Sequence, residues 1–358
     1  GAWEEFIMQT KVMPCDGAGI RAAADLLRRG ELVGFPTETV YGLGAAALQP
    51  QAVAKIFAAK GRPADNPLIV HIASRKMAEP VARFTPLAEK LAARFWPGPL
   101  TLVLPRRAVV PDIVTAGLDT VGLRWPSHPA AAAMIAAAGL PVAAPSANRS
   151  GRPSPTLARH VLEDLAGRVP LILDAGPVEI GLESTVVDAT GALPVLLRPG
   201  KITMEELASF CGGCLLPDGK SSERPPAPGM KYRHYAPQGA LYLAADYRAA
   251  EALRQRLLAA DPAPPLMLLS DASANYFRGQ GLPEDEILSL GANEAEFAAR
   301  LFAALREADT RRAGRIICET TKESGLGRAI MNRLARAAAA ATEPGGGVLP
   351  SPAAEGKA

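Results

Sequence analysis

Cysteine is scarce in this chain, four among 358 residues, and Cys15, Cys211, Cys214 and Cys318 are too scattered to frame a disulfide-stapled fold. A reducing, cytoplasmic setting is the expectation. The CGGC run at 211–214 has the spacing of a redox or metal pair, but no second Cys/His pair has ligand spacing and no thioredoxin-like strand leads into it, so it reads as two ordinary thiols near a domain end. An excess of one charge is also lacking. Lys+Arg 39 against Asp+Glu 36 leaves +3, so an anionic partner must be held by locally clustered cations rather than by a global field. The most apolar stretch, Pro129 to Pro145, is alanine-rich and broken by Gly139 and Pro141, as in a packed helix followed by a strand, and no membrane span is expected. Glu4 and Glu5 stand where a secretory leader carries basic residues. Missing as well are a nucleophile elbow with Ser/His/Asp order, an HExxH or Cys/His metal cluster, a GxxxxGK[ST] phosphate loop and a GxGxxG fingerprint. Covalent catalysis, a protein-held metal and an organic prosthetic group are therefore not expected.

What is present fits two soluble domains. The length exceeds one ordinary domain, and 48% hydrophobic with 21% charged residues is the balance of a globular protein. As far as Leu197, short apolar runs alternate with amphipathic stretches, as in an α/β domain. Strands are predicted at Leu32 to Phe35, Leu68 to Ile72, Leu100 to Leu104, Val121 to Arg124, Val142 to Ala144, Leu171 to Leu173, Thr185 to Asp188 and Val195 to Arg198. Helices are predicted at Ile20 to Arg29, Gln51 to Ala59, Pro86 to Phe95, Pro129 to Ala138 and Thr156 to Leu165. From about Ser209 to Pro237 the composition shifts to Gly, Pro, Ser and charge, which marks a linker. A second alternation, with strands at Leu241 to Leu243, Pro265 to Leu269, Ile287 to Leu290 and Arg315 to Cys318, predicts a small parallel α/β domain. The resulting division is 13–206, a linker at 207–237, a second domain at 238–341 and a disordered tail at 342–358.

Five polar stretches fall at predicted strand ends, where open α/β sheets gather ligands. FPTETVYGLG (35–44) offers Thr37, Glu38 and Thr39 with Gly42 and Gly44 for close backbone approach, and both a ligand loop and an ordinary turn fit it. AKGRPADNPLIVHI (59–72) places Lys60 and Arg62 two apart with Pro63 holding Arg62 extended, a clamp suited to phosphate, with Asn66 as a neutral donor. His71 ends the apolar strand, where a lone histidine is more often structural than catalytic. APSANRSGRPSPT (144–156) brings Ser146, Asn148, Ser150 and Ser154 as donors to oxyanions, with Arg149 and Arg152 as cations, while Thr156 also suits a helix cap. TVGLRWPSHP supplies Arg124, and GLESTVVD with LLRPGKIT supplies Ser184, Thr185, Arg198 and Lys201. Together they describe a positively lined pocket with hydroxyls, which would work by positioning and electrostatics on an anionic nucleotide and a small polar co-substrate.

FPTETVYGLG, KGRPADNPLIVHI, WPGPLTLVL, SANRSG.PSPT, ESTVVD and LLRPGKIT, spread over about Gly30 to Thr203, resemble the YrdC-like domain of threonylcarbamoyl-AMP synthases. The linker stretch PGMKYRHYAP and the domain after it resemble the long, two-domain form of that family. The resemblance implies a YrdC-like twisted α/β sheet domain joined to a smaller Rossmann-like parallel α/β domain. It implies a nucleotidyltransferase that converts L-threonine, bicarbonate and ATP to threonylcarbamoyl-AMP and pyrophosphate. The carbamate oxygen would attack the α-phosphorus of ATP, with Mg²⁺ brought in by the nucleotide and no covalent enzyme intermediate. The product would pass to the tRNA threonylcarbamoyl-transfer machinery, and direct contact with tRNA is left open. By position, Thr37, His71, Arg124 and Ser184 match the threonine site; Lys60, Arg62, Asn66, Thr120, Ser146, Asn148, Ser154, Arg198 and Tyr235 match the nucleotide and bicarbonate side. Lys60, Arg62, Ser146 and Asn148 are the residues expected to act in catalysis. The linker is read as a lid in which Lys231, Arg233 and Tyr235 close over the pocket.

Two rivals remain at this stage. A carbamoyltransferase could use the same domain type for another carbamoyl adenylate, but such proteins usually carry additional catalytic domains that this chain has no room for. An RNA-binding module could present a cationic concave face, against which stand the near-neutral charge and the lack of a basic stripe interleaved with aromatics.

Overall fold

The computed structural model describes residues 8–217 and 235–338. In chain order the first domain runs β1 (Lys11–Pro14), α1 (Gly17–Arg28), β2 (Val33–Pro36), β3 (Tyr41–Ala46), α2 (Pro50–Lys60), β4 (Ile69–His71), α3 (Arg75–Ala78), α4 (Pro86–Phe95), β5 (Leu100–Pro105), α5 (Asp112–Thr115), β6 (Thr120–Arg124), α6 (Pro129–Ala138), β7 (Val142–Ala143), α7 (Ala158–Leu165), β8 (Leu171–Asp174), β9 (Thr185–Asp188), β10 (Val195–Arg198) and α8 (Met204–Cys211). The second runs β11 (Ala240–Ala244), α9 (Tyr247–Ala260), β12 (Leu266–Leu269), α10 (Asp271–Gly279), β13 (Ile287–Ser289), α11 (Glu294–Thr310), β14 (Arg315–Glu319) and α12 (Leu326–Ala338).

Ten strands form one mixed sheet in the order β1-β8-β2-β3-β7-β4-β6-β5-β9-β10. Its central strands are buried on both faces, which explains their continuous apolar runs. One face packs Val33, Phe35 and Leu173 against Ala23 and Leu27 of α1 and Met134 and Ile135 of α6. The other packs Leu43, Val70 and Leu102 against Val53 and Ile56 of α2 and Leu91 of α4. In the second domain β11-β14-β12-β13 are all parallel, with α11 and α12 on the face turned toward the first domain's Val40 and Leu182. The two domains thus share a hydrophobic cluster.

The predicted strands and long helices form close to their expected bounds, and the differences have physical causes. Tyr41–Ala46, read as a loop because of Gly42 and Gly44, is a strand. A Cβ on Gly44 would lie 2.8 Å from the Val142 side chain and one on Gly42 3.1 Å from the Phe35 ring, so these glycines admit tight strand packing rather than a turn. Lys11–Pro14 pairs in parallel with β8, so the sheet begins before residue 13. The first domain also continues past residue 206. Thr203 caps α8 in a reciprocal box with Glu206, and Leu215 exchanges backbone bonds with Pro194 and Leu196 beside β10. Cys211 and Cys214 are half-buried thiols packed on the first domain's core. The proposed tail and most of the lid, Lys231 and Arg233 included, lie outside the described residues.

Candidate functional site

Sheet register assembles the site. His71 ends β4 directly beside Arg124 at the end of β6, Arg124 faces Thr101 on β5, and Ser184 stands immediately before β9, which runs parallel to β5. Arg198 ends β10. The β2–β3 turn adds Thr37 and Thr39, and Lys60, Arg62, Ser146, Asn148, Ser150, Glu183 and Tyr235 complete one cavity lining.

Lys60 is the last residue of α2, at the end of the helix whose dipole favours a cation. Gly61, in the left-handed conformation with φ 64°, turns the chain so that Arg62 follows into the same cavity. This cap, more than Pro63, brings the two cations together. The Lys60 ammonium donates to the Ser146 carbonyl, and the Lys60 carbonyl accepts from Ser150 N at 3.0 Å, tying the KGR turn to the SANRS loop. Arg62 donates to the Pro67 carbonyl at 2.8 Å. Arg198 donates to the Ser184 carbonyl at 3.0 Å and to its hydroxyl at 3.2 Å. All three cations are buried, and among the described residues none has a carboxylate within 4.0 Å. Burial, reinforced by Arg62, pushes the Lys60 amine well below its ordinary value. Burial and then Arg198 bring Arg62 down to about 9, and burial brings Arg198 to about 10.

The other end is differently built. Arg124 is paired with Glu38 and donates to Thr39 Oγ1 at 3.0 Å, which leaves three of its five N–H donors for a ligand. Glu38 accepts from Ser127 N at 2.8 Å and Ser127 Oγ at 2.6 Å. Burial alone would raise its pKa, but Arg124 and Ser127 outweigh burial and hold it below the ordinary value. His71 Nδ1 lies 3.1 Å from the Ile69 carbonyl, and burial followed by Arg124 lowers its pKa to about 3, so it stays neutral. The Thr37 hydroxyl donates to the Val40 carbonyl at 2.7 Å and shapes the turn, so to a ligand it can only accept. Ser184 Oγ lies 2.8 Å from Thr101 Oγ1.

Three expected site residues are not in the cavity lining. Ser154 is buried behind it, its hydroxyl on Glu183, so it supports the wall. Asn66 is buried under Arg62, whose guanidinium lies 3.4 Å from its backbone carbonyl. Thr120 is half-buried at the opposite end of β6 from Arg124, paired with Pro105, roughly 13 Å along the strand. Asn148 is in the lining, and its amide nitrogen donates to the Arg149 and Arg152 carbonyls at 2.8 and 3.1 Å.

Several residues escaped sequence reasoning. Glu183, in the cavity wall, is held by Ser154 and by Arg333 of α12 at 2.9 Å. Arg306 of α11 grips Asp164 at 3.0 and 2.8 Å and the Pro153 carbonyl at 2.7 Å, and Asp164 in turn accepts from Arg149 N at 2.9 Å. These partners lie 142 and 150 positions apart, and no local signal joins them. Tyr235 is buried at φ 64°, its ring stacked 5.2 Å from Phe302 of α11, and Ala236 N donates to the Gly151 carbonyl at 3.0 Å. The linker's end is thus wedged between the second domain and the SANRSG loop.

Comparison with known proteins meets this geometry from outside. The family model described as "Telomere recombination" (Sua5, YciO and YrdC) matches residues 25–200, and that described as "Threonylcarbamoyl-AMP synthase, C-terminal domain" matches 202–339. A threonylcarbamoyl-AMP synthase of Pyrococcus abyssi is 48% identical over 89% of this chain and 93% of its own length. One of Bacillus subtilis is 45% identical over 93% of this chain and 96% of its own. The crystal structure of P. abyssi Sua5 complexed with L-threonine superposes with a TM-score of 0.84 at 45% identity, covering 93% of this chain and 98% of that one. With both domains matched and each relative covered almost end to end, the chain belongs to the two-domain threonylcarbamoyl-AMP synthase family.

Proposed function

We propose that this enzyme adenylates the carbamate of L-threonine, turning L-threonine, bicarbonate and ATP into threonylcarbamoyl-AMP, pyrophosphate and water, the water released as the amine and bicarbonate form the carbamate. The observation that carries this reading is the set of three buried cations, Lys60, Arg62 and Arg198, that converge on one cavity and, among the described residues, make no ion pair, the one carboxylate of the lining, Glu183, being held by Arg333. Burying unpaired charge is costly, and a polyphosphate supplies the missing negative charge. Beside them Arg124, His71, Thr37 and Ser184 offer a smaller site with donors for a carboxylate and hydroxyl-reading oxygens. Ser184 touches Arg198, so the two ends are contiguous, as transfer from nucleotide to amino acid derivative requires.

In this mechanism the carbamate oxygen attacks the α-phosphorus and pyrophosphate leaves. Lys60, Arg62 and Arg198 stabilise charge on the phosphate oxygens, held in place by their hydrogen bonds to the Ser146, Pro67 and Ser184 carbonyls. Magnesium would add charge neutralisation on the phosphates. Among the described residues no three His, Cys, Asp or Glu side chains cluster, and Glu183, the one carboxylate in the lining, is already held by Arg333 and Ser154. The donor set therefore suits a metal carried by ATP rather than one caged by the protein. Tyr235 closes the cavity from the linker side, consistent with a lid. The product would serve tRNA threonylcarbamoylation. Among the described residues no helix is long and apolar enough to cross a membrane.

The test is pyrophosphate release from ATP with Mg²⁺, omitting L-threonine and bicarbonate in turn, with mass detection of the adenylate. Release requiring both, with the threonylcarbamoyl adenylate formed, is expected. Turnover without threonine would assign another carbamoyl acceptor instead.

A further inference from the structure

Sheet register places one more hydroxyl beneath the site. Thr101 is the second residue of β5, opposite Arg124 of β6 and beside Val186 of β9, so its side chain shares the sheet face that carries Arg124 and, two residues before Val186, Ser184. It does not reach the cavity, being 0% exposed and outside the lining. Packing sets its orientation. A Cβ on Gly122 would lie 3.3 Å from the Thr101 methyl, so the bare glycine on β6 makes room for that methyl, and the hydroxyl meets Ser184 Oγ at 2.8 Å.

Counting hydrogens fixes the direction of that bond. A hydroxyl carries one hydrogen and two lone pairs. Among the described residues the Thr101 hydroxyl bonds to no polar atom except Ser184 Oγ, so a bond in the opposite sense would bury its hydrogen without an acceptor, which is destabilising. Thr101 therefore donates. Ser184 Oγ also accepts from Arg198 Nη2 at 3.2 Å, and with both lone pairs taken it has only its own hydrogen to offer. Ser184 and Arg198 both line the cavity, so that hydrogen is left for a ligand atom that accepts.

We propose that Thr101 is a positioning residue that makes Ser184 a hydrogen-bond donor to an oxygen of the amino-acid substrate. This rests on the function proposed above and gives a role to a residue that touches no substrate. The site thereby acquires a polarity. Ser184 can address a carboxylate or hydroxyl oxygen and cannot accept from the threonine ammonium. Hydrogen bonds in a chain strengthen one another, so Arg198 and Thr101 together make the Ser184 hydrogen a better donor.

Calorimetric binding of L-threonine to wild type, Thr101→Val, Thr101→Ser, Ser184→Ala and the Thr101→Val/Ser184→Ala double variant tests this. Valine keeps the methyl and loses the hydroxyl, whereas serine does the reverse. Thr101→Val should weaken threonine binding about five-fold, the scale of one neutral hydrogen bond, and Thr101→Ser should stay within about two-fold of wild type. Pyrophosphate should bind both Thr101 variants as it binds wild type, because Arg198 keeps its bond to the Ser184 carbonyl, and this also certifies the fold. Without the Ser184 hydroxyl Thr101 has nothing to orient, so the double variant should bind threonine as Ser184→Ala does. Further weakening in the double variant, or serine as damaging as valine, would overturn the proposal and make Thr101 a packing residue. Polarity is read with 3-hydroxybutyrate, which lacks the amine and is scored as a competitor of threonine. Thr101→Val should weaken it as much as it weakens threonine, and an unaffected 3-hydroxybutyrate would give Ser184 to the amine instead. Should valine fail to fold, Thr101→Ala set against Thr101→Ser makes the same comparison, the two differing only by the hydroxyl. Failure of the parent reading is seen separately, as wild-type protein that binds no threonine and makes no adenylate.

Discussion

Five buried arginines and one lysine divide into two groups that obey opposite rules. Arg306 and Arg333, which reach from the second domain into the first, each grip a carboxylate, Asp164 at 2.8 Å and Glu183 at 2.9 Å. Arg124 does the same with Glu38. Lys60, Arg62 and Arg198 have no such partner among the described residues, although they too are buried. The first group is structural in its energetics, because removing either member strands a charge. On the function proposed above, the second finds its counter-charge in a polyanionic substrate.

The largest expected effect of breaking this contrast is on turnover. Arg62→Met should lower kcat/KM for ATP by about a hundred-fold or more, the scale of losing one preorganised charge donor. A steady-state pyrophosphate assay measures it. A drop below ten-fold would mean that Arg62 does not face the reacting phosphates.

On the paired side the effect should appear as stability. Arg333→Ala leaves Glu183 buried and uncompensated, and should destabilise by about 3–5 kcal/mol in denaturant unfolding. Glu183→Gln with Arg333→Met should recover part of that loss, because both charges leave together. If the double variant is no better than Arg333→Ala, the pair is not the source of the cost.

A smaller effect concerns pH. His71 has a folded pKa of about 3, brought there by burial and then by Arg124, against an ordinary 6.5. The unfolded chain therefore binds more protons below pH 6.5, and stability falls as pH drops from there toward 3. The slope approaches about 1.4 kcal/mol per pH unit for one fully buried histidine. Glu38, Asp164 and Glu183 have lowered values, so their stabilising contributions are lost only as pH falls below the unfolded carboxylate range. Between pH 6 and 5 the decline is carried by histidine, and His71→Asn should make it shallower in urea midpoints. An unchanged decline would assign it to His160, which burial also brings to about 3, and to His128, which burial likewise lowers.

Much of the fold was readable because strands buried on both faces announce themselves as apolar runs, and Pro86 and Pro129 mark helix starts directly. β3 was obscured because its glycines serve packing against Phe35 and Val142, a cause invisible without the neighbour. The box at Thr203 and Glu206 was legible and marked a helix where a domain end was drawn. Site residues were recognisable as types at strand ends, but their roles depended on distant partners. Nothing near Glu38 in sequence names Arg124, 86 positions on, and the donor or acceptor face of Asn148 depends on two loop carbonyls.

Thermal unfolding of wild type, Lys60→Met and Arg198→Met with and without pyrophosphate tests the role of the three cations most directly. Without ligand, each variant should be at least as stable as wild type, because a buried unpaired charge has been removed. With pyrophosphate the wild type should gain the larger increase in Tm, by mass action on a site that the variants have lost in part. Variants less stable than wild type without ligand, yet stabilised equally by pyrophosphate, would contradict the account.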